Sequence, residues 1–135
     1  MLWGESLLGI IKLNNIEVAL CLSNLGILEM NRKNGTKAIN YFEKSKKMLQ
    51  SNVSENDLKV GEIYNFMGIT YSNDGDLKLA EQCFLKSLNI LNNVSPSHYS
   101  NVLTLINLGG LYIKNRDFNR SLDFFYKARK KYEQI

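Results

Sequence analysis

The feature that most limits what this chain can fold into is an internal repeat. Gly68 follows Gly26 by 42 positions, and Gly109 follows Gly68 by 41. Around each of these glycines the same residue types recur. An apolar residue stands one position before (Leu25, Met67, Leu108) and another four before (Leu22, Tyr64, Leu105). Three positions after come Glu29, Tyr71 and Tyr112, and twelve after come Ala38, Ala80 and Ser121. Sixteen after come Phe42, Phe84 and Phe125, and nineteen after come Ser45, Ser87 and Ala128. A chain that repeats at this period stacks copies of one small unit instead of folding around a single central core.

The offsets identify the unit. Residues three and four apart share one face of an α-helix. The positions at minus four, minus one and plus three therefore form a stripe on a first helix, and those at plus twelve, sixteen and nineteen a stripe on a second. Turn signals lie between them: Asn34-Gly35, Asp74-Gly75-Asp76 and Asn115-Arg116-Asp117. Each repeat is a helix hairpin. The anchor glycine and the small residues let its helices approach closely while the Phe fills the gap.

Helices are expected near 16 to 32, 36 to 51, 57 to 73, 77 to 92, 97 to 114 and 118 to 133. Ser95-Pro96 reads as the start of the fifth, with Ser as N-cap and Pro in the first turn. Residues 3 to 13 project by one period onto the end of a second helix, Leu7 and Leu8 falling near Met48 and Leu49. The expected organisation is one domain over 1–135: a partial preceding helix (1–15) and repeats at 16–56, 57–97 and 98–135. The chain reads as a piece of a longer protein, because an open end of such an array exposes apolar surface unless a polar helix caps it. The last helix, with Lys130, Lys131, Glu133 and Gln134, is polar enough to cap in part.

Composition agrees with a folded, single-unit protein: 135 residues, 44% hydrophobic and 22% charged, with a single Pro and no linker-like stretch. The net charge of +4 is modest. Its two local groups, Lys44, Lys46, Lys47 and Arg129, Lys130, Lys131, fall late in expected helices, where cations meet the negative end of the helix dipole. A solvated helix face is the expected reading, with a phosphate, RNA or acidic partner as the alternative. Direct nucleic-acid binding is not expected. Cys21 and Cys83 lie inside apolar helical patterns without metal-ligand spacing, and read as small buried hydrophobes in a reducing compartment. No apolar run is long enough for a membrane span, and the first residues make a poor signal peptide, so a cytoplasmic location is expected. The sequons at Asn34, Asn52 and Asn93 read as chance in an Asn- and Ser-rich chain.

Catalysis needs titratable groups that converge in a pocket, and few are available. His98 is the single histidine and reads as an exposed loop residue. Gly109-Gly110 belongs to a helical stripe and is no phosphate loop. Glu62 and Asp123 have no partner implied by spacing. The sequence argues against an enzyme, and no cofactor or metal is expected.

The pattern resembles the tetratricopeptide repeat. In that family the first helix carries an aromatic or Leu, then Leu-Gly, then Tyr, and the second carries Ala, Phe or Tyr, and Ala at these offsets. The resemblance spans about residues 16 to 135. The copy from Tyr64 to Ser87 matches best. The first copy departs at Glu29, in place of Tyr, and at Lys33, in place of the turn Gly; the third has Arg116 in place of that Gly. The long period looks like that of arrays in kinesin light chains, mitotic-spindle adaptors and bacterial cytoplasmic receptors for peptide pheromones. The resemblance implies an all-α superhelix, or solenoid, of three hairpins plus a partial N-terminal helix.

It also implies a binding surface, since stacked hairpins line their first helices along one groove able to receive an extended segment or a helix. The groove positions lie at minus three, plus one, plus four and plus five from each anchor. They are Ser23, Ile27, Met30 and Asn31; Asn65, Ile69, Ser72 and Asn73; Ile106, Gly110, Ile113 and Lys114. The Asn side chains offer a donor and an acceptor to a peptide backbone, and the aliphatic ones offer pockets. At the places where related domains clamp the carboxylate tails of chaperones, this chain has Ser23, Ile27, Phe66, Ile106 and Gly110, none of which can neutralise a carboxylate. The expected function is a protein-interaction module holding a peptide or helix of a protein partner. Two alternatives remain: the peptide-sensing part of a larger bacterial transcriptional regulator, and a structural element that self-associates through exposed solenoid ends.

Overall fold

A computed structural model describes the backbone of residues 2–52 and 58–135, and side chains over 15–50 and 58–135. Among the described residues six α-helices follow one another: α1 (Leu2–Asn31), α2 (Gly35–Asn52), α3 (Leu58–Asn73), α4 (Leu77–Val94), α5 (Tyr99–Lys114) and α6 (Phe118–Glu133). They pair as the antiparallel hairpins α1–α2, α3–α4 and α5–α6. No strand occurs among the described residues. The chain has two compact units, Met1–Glu55 and Asn56–Ile135. Within the second unit the core runs from one hairpin to the next, Ala80 and Phe84 of α4 packing with Leu108, Leu111 and Tyr112 of α5, as stacked repeats bury a continuous core.

Two expectations at helix starts fail. First, no break separates residues 3–13 from the first repeat: α1 is a single helix of 30 residues. Asn14 and Asn15 are only middling helix formers, and without Gly or Pro beside them they do not end a helix. The expected packing of Leu7 and Leu8 lies outside the described side chains, as do the residues of the Asn52 sequon. Second, Ser95 does not start α5. It is the C-cap of α4, its backbone N–H donating to Leu91 O, and Pro96 lies in the turn beyond. His98 takes the N-cap position, its Nδ1 accepting from Ser100 N at 3.1 Å. Asn101 completes the turn by donating from Nδ2 to Ser95 O at 2.7 Å and His98 O at 3.2 Å. His98 is thus a half-buried cap, not an exposed loop residue.

Within each hairpin the anchor glycine admits the ring sixteen positions on. A Cβ built on Gly26 would stand 2.6 Å from the Phe42 ring, one on Gly68 2.5 Å from Phe84, and one on Gly109 2.7 Å from Phe125. The small residues bring hydroxyls to the same interface. Ser45 Oγ donates to Ala19 O at 2.5 Å, and Ser87 Oγ to Gly61 O at 2.6 Å, each across 26 residues. Ala128 holds that place in the third hairpin, where Ser121 Oγ donates to Gly109 O at 2.8 Å instead.

The three tight turns have one geometry despite different residues. Lys33 (φ 65°), Gly75 (φ 85°) and Arg116 (φ 60°) all adopt the left-handed conformation. The next N–H reaches back to the same carbonyl each time: Asn34 N to Glu29 O, Asp76 N to Tyr71 O, Asp117 N to Tyr112 O, at 2.8 to 2.9 Å. This is the bonding that satisfies the last carbonyls of a helix. Asp76 and Asp117 then cap the following helix by accepting from Leu79 N and Arg120 N. In the first repeat Asn34 Nδ2 donates instead to Glu29 Oε2 at 2.7 Å, which gives the buried Glu29 a role in place of the usual Tyr.

Candidate functional site

In the second unit α3 and α5 run side by side as the first helices of neighbouring hairpins. Between them lies a cleft of about 290 Å³. Ile69, Ser72 and Asn73 line it from α3, and Ile106, Gly110 and Lys114 from α5. Phe84 and Phe125, the rings fitted against the anchor glycines, also line it. Gly110 leaves it wide, since a Cβ there would meet nothing within 4 Å. Lys114 Nζ donates to Ser72 Oγ at 2.9 Å across the opening, placing a cation and a hydroxyl at one end. Ile106 is 42% exposed.

Six of the expected groove residues therefore meet in one cleft. Ile113 is exposed on α5 but lies outside its lining. Asn65 departs most from expectation. It is buried, and its Oδ1 accepts from Asn107 Nδ2 at 3.0 Å and from Thr104 Oγ1 at 3.3 Å. Thr104 Oγ1 also lies 3.4 Å from Ser87 Oγ, so a polar chain links α3, α4 and α5. That carbonyl oxygen is engaged inside the protein and is not offered to a ligand. Asn107, one position from Ile106, lines the cleft and was not anticipated. Its apolar neighbours hid it from a reading by offset, although the pairing across 42 residues is one full period.

Ser23, Ile27, Met30 and Asn31 belong to the other unit. Spaced by three and four, Ser23, Ile27 and Met30 share a face of α1 and are half-buried, while Asn31 is exposed. The cysteines also divide: Cys83 is buried as expected, but Cys21 is exposed. It lies on an α1 stripe with Val18, Leu25 and Leu28, which are 48%, 41% and 50% exposed. The helical pattern marks Cys21 as part of an apolar face without saying whether that face is covered.

Among the described residues no nucleophile and base are brought together. Ser100 Oγ donates to Glu62 Oε1 at 3.4 Å, while His98 Nδ1 is occupied by the Ser100 backbone N–H. Burial, with the Glu81 carboxylate beside it, raises the Tyr112 phenol above its ordinary value. That ring is stacked on Phe124 at 5.4 Å, under cover of the core. Among the described residues no group of three or more His, Cys, Asp or Glu could hold a metal ion, and no helix is long and apolar enough to cross a membrane.

No curated protein matches the sequence significantly. Among solved structures the chain is similar to BtubC (BKLC) from P. vanneervenii, with a TM-score of 0.80 and 22% identity over 87% of this chain. It spans 47% of that protein's length. At this identity the likeness speaks for the fold alone, an all-α tetratricopeptide-type hairpin array. The family model described as the tetratricopeptide repeat, whose members generally mediate protein–protein interaction and are typically non-catalytic, matches residues 17–93 and again 60–134. The chain belongs to the tetratricopeptide repeat family.

Proposed function

We propose that the chain is a non-catalytic interaction module, cytoplasmic and without a cofactor, that holds a peptide or helix of a partner protein in the groove between α3 and α5. One observation carries the reading. Residues chosen by their offset from the repeat glycine, Ile69, Ser72, Asn73, Ile106, Gly110 and Lys114, meet in a single cleft instead of scattering. Its walls suit a peptide. Ile69 and Ile106 offer apolar contact, and Asn73, Asn107 and Ser72 offer donors and acceptors to a backbone. The missing side chain at Gly110 leaves room for one from the ligand. Asn65 serves this function indirectly, by fixing α5 against α3 through Asn107 and Thr104.

The test is a peptide-array screen of the purified chain, repeated with Ile69→Glu combined with Gly110→Gln. Gly110 faces open space and Ile69 is half-buried at the edge of the core, so circular dichroism must first show that the double variant keeps its helices. Loss of the bound peptides is the expected result. Peptides retained by the folded variant would place binding elsewhere on the molecule.

A second reading has its own observation. The exposed α1 stripe of Val18, Leu25 and Leu28 favours a structural role in which the chain self-associates through a hairpin end. Sedimentation equilibrium over a range of concentrations separates the two, because the groove reading requires no change of mass. The regulator alternative, in which a separate output domain reads peptide binding, depends on sequence beyond this chain, which spans half of the solved structure it resembles.

A further inference from the structure

A second cleft, separate from the α3–α5 groove, is lined by the C-terminal half of α4, by α5 and by α6. Its volume is about 360 Å³, within the size range of side-chain and small-ligand pockets, roughly 300–1,000 Å³. Leu88, Leu105 and Phe124 form an apolar floor, and Lys127, Lys130 and Lys131 stand along the α6 side. No carboxylate lines it, and no ion pair is formed by any of these three lysines among the described residues. Of the carboxylates near them in sequence, Glu133 pairs with Arg129 at 3.8 Å, and Asp123, four residues before Lys127, forms no ion pair with it.

Two of the three ammonium groups are held in place by the protein. Lys131 Nζ donates to Asn92 Oδ1 at 2.7 Å, and Lys127 Nζ lies 5.0 Å from the centre of the Phe124 ring. A cation fixed by a neutral partner keeps its full charge for an incoming anion and loses less side-chain freedom when it binds one. The dipole at the end of α6 accounts for the presence of cations there, but not for their gathering over a hollow of apolar side chains.

We propose that this α4–α6 cleft is a second binding site, taking an acidic peptide segment that seats one bulky apolar side chain on Leu88, Leu105 and Phe124 and sets flanking carboxylates against Lys127, Lys130 and Lys131. Single-stranded nucleic acid fits less well. Base binding needs a free aromatic face, and the Phe124 ring is engaged by Tyr112, stacked at 5.4 Å, and by Lys127. The site is independent of the α3–α5 groove, since no residue is shared between the two linings.

The experiment measures fluorescence anisotropy of labelled peptides of Asp and Glu around a central Leu, of the same peptides with Gly at the centre, and of their Lys counterparts. Random short peptides displayed on phage and selected on the purified chain extend it beyond one sequence. The acidic Leu peptide should bind best, weaken as salt is added, and lose about tenfold or more in affinity with Lys127→Glu combined with Lys131→Glu. Lys131→Arg should retain binding, and the groove variant Gly110→Gln should leave it unchanged. These substitutions lie on exposed or half-exposed positions, and circular dichroism checks that each variant is folded. The proposal is overturned if selection yields no acidic-apolar consensus and the test peptides do not bind, if the Gly peptide binds as well as the Leu peptide, or if the double Lys→Glu variant keeps its affinity. Stronger binding of polyuridylate or of anionic lipid vesicles than of the acidic peptides would overturn it in favour of those ligands.

Discussion

The ring of Phe84 occupies the volume that any side chain on Gly68 would need, with a Cβ at that position falling 2.5 Å from the ring carbons. The pairs Gly26–Phe42 and Gly109–Phe125 repeat the relationship. The interhelical distance in each hairpin is therefore set by an absent side chain on one helix and a planar one on the other.

Neighbouring glycines on α5 should consequently respond in opposite directions. Gly109→Ala forces its methyl into Phe125, and overpacking of this kind costs about 1–3 kcal/mol. Gly110→Ala meets open space, and replacing a mid-helix Gly by Ala stabilises by roughly 0.5–1 kcal/mol. Urea unfolding of the two variants, read by circular dichroism, should move the midpoint down for the first and up for the second. Equal shifts would mean that the α5–α6 spacing is not set by this contact.

The turns offer a second test. A non-glycine residue in the left-handed conformation costs about 1–2 kcal/mol, and both Lys33 and Arg116 adopt it where the middle repeat has Gly75. Lys33→Gly and Arg116→Gly should each stabilise by about 0.5–1 kcal/mol after the greater freedom of Gly in the unfolded chain is subtracted. Gly75→Ala should destabilise by about 1 kcal/mol. Thermal unfolding of the single variants checks both signs.

Asn65 joins α3 to α5 through one oxygen. Asn65→Ala takes the acceptor from Asn107 Nδ2, while the Thr104 hydroxyl keeps Ser100 O at 3.0 Å, and losing one such hydrogen bond costs about 0.5–1.5 kcal/mol. A double-mutant cycle with Asn107→Ala should show coupling, because the two side chains share a hydrogen bond. Additive effects would mean that solvent replaces the bond at no cost.

Tyr112 supplies a pH dependence with a definite sign. Its phenol is raised above the ordinary value of 10.0 by burial and by Glu81, so the folded chain holds that proton more tightly than the unfolded one. The contribution is fully present below the unfolded value and is lost as pH rises past it through the folded one. Denaturant midpoints followed upward from neutral pH should fall more steeply above about pH 10 for the native chain than for Tyr112→Phe. Parallel curves would show that the phenol titrates freely.

Much of this is legible in the sequence. Helix pairing follows from the period, because Leu, Gly, Tyr, Ala and Phe at fixed offsets can share faces in only one way. The turns follow from Gly75 and Asp76, whose geometry the other two repeats reproduce even with Lys33 and Arg116. Ser95 was misread for a local reason: Ser before Pro is a sound helix start, yet the end of α4 uses Ser95 first, and the chain needs the extra turn to His98 before α5 can begin. The exposure of Cys21 and the burial of Asn65 have a non-local one. Periodicity says which face of a helix is apolar or polar, but whether that face is covered depends on what packs beside it.

By itself, then, the sequence determined the hairpins, their number within residues 16 to 135, and the family. Those depend on local geometry and on contacts at fixed separations along the chain. Only the tertiary structure decided which side chains meet between hairpins. Asn107 bonds to Asn65, three lysines of α6 gather over Leu88 and Leu105, and Gly110 is open where Gly109 is filled. The angle at which one helix crosses another sets these, and no single repeat encodes it.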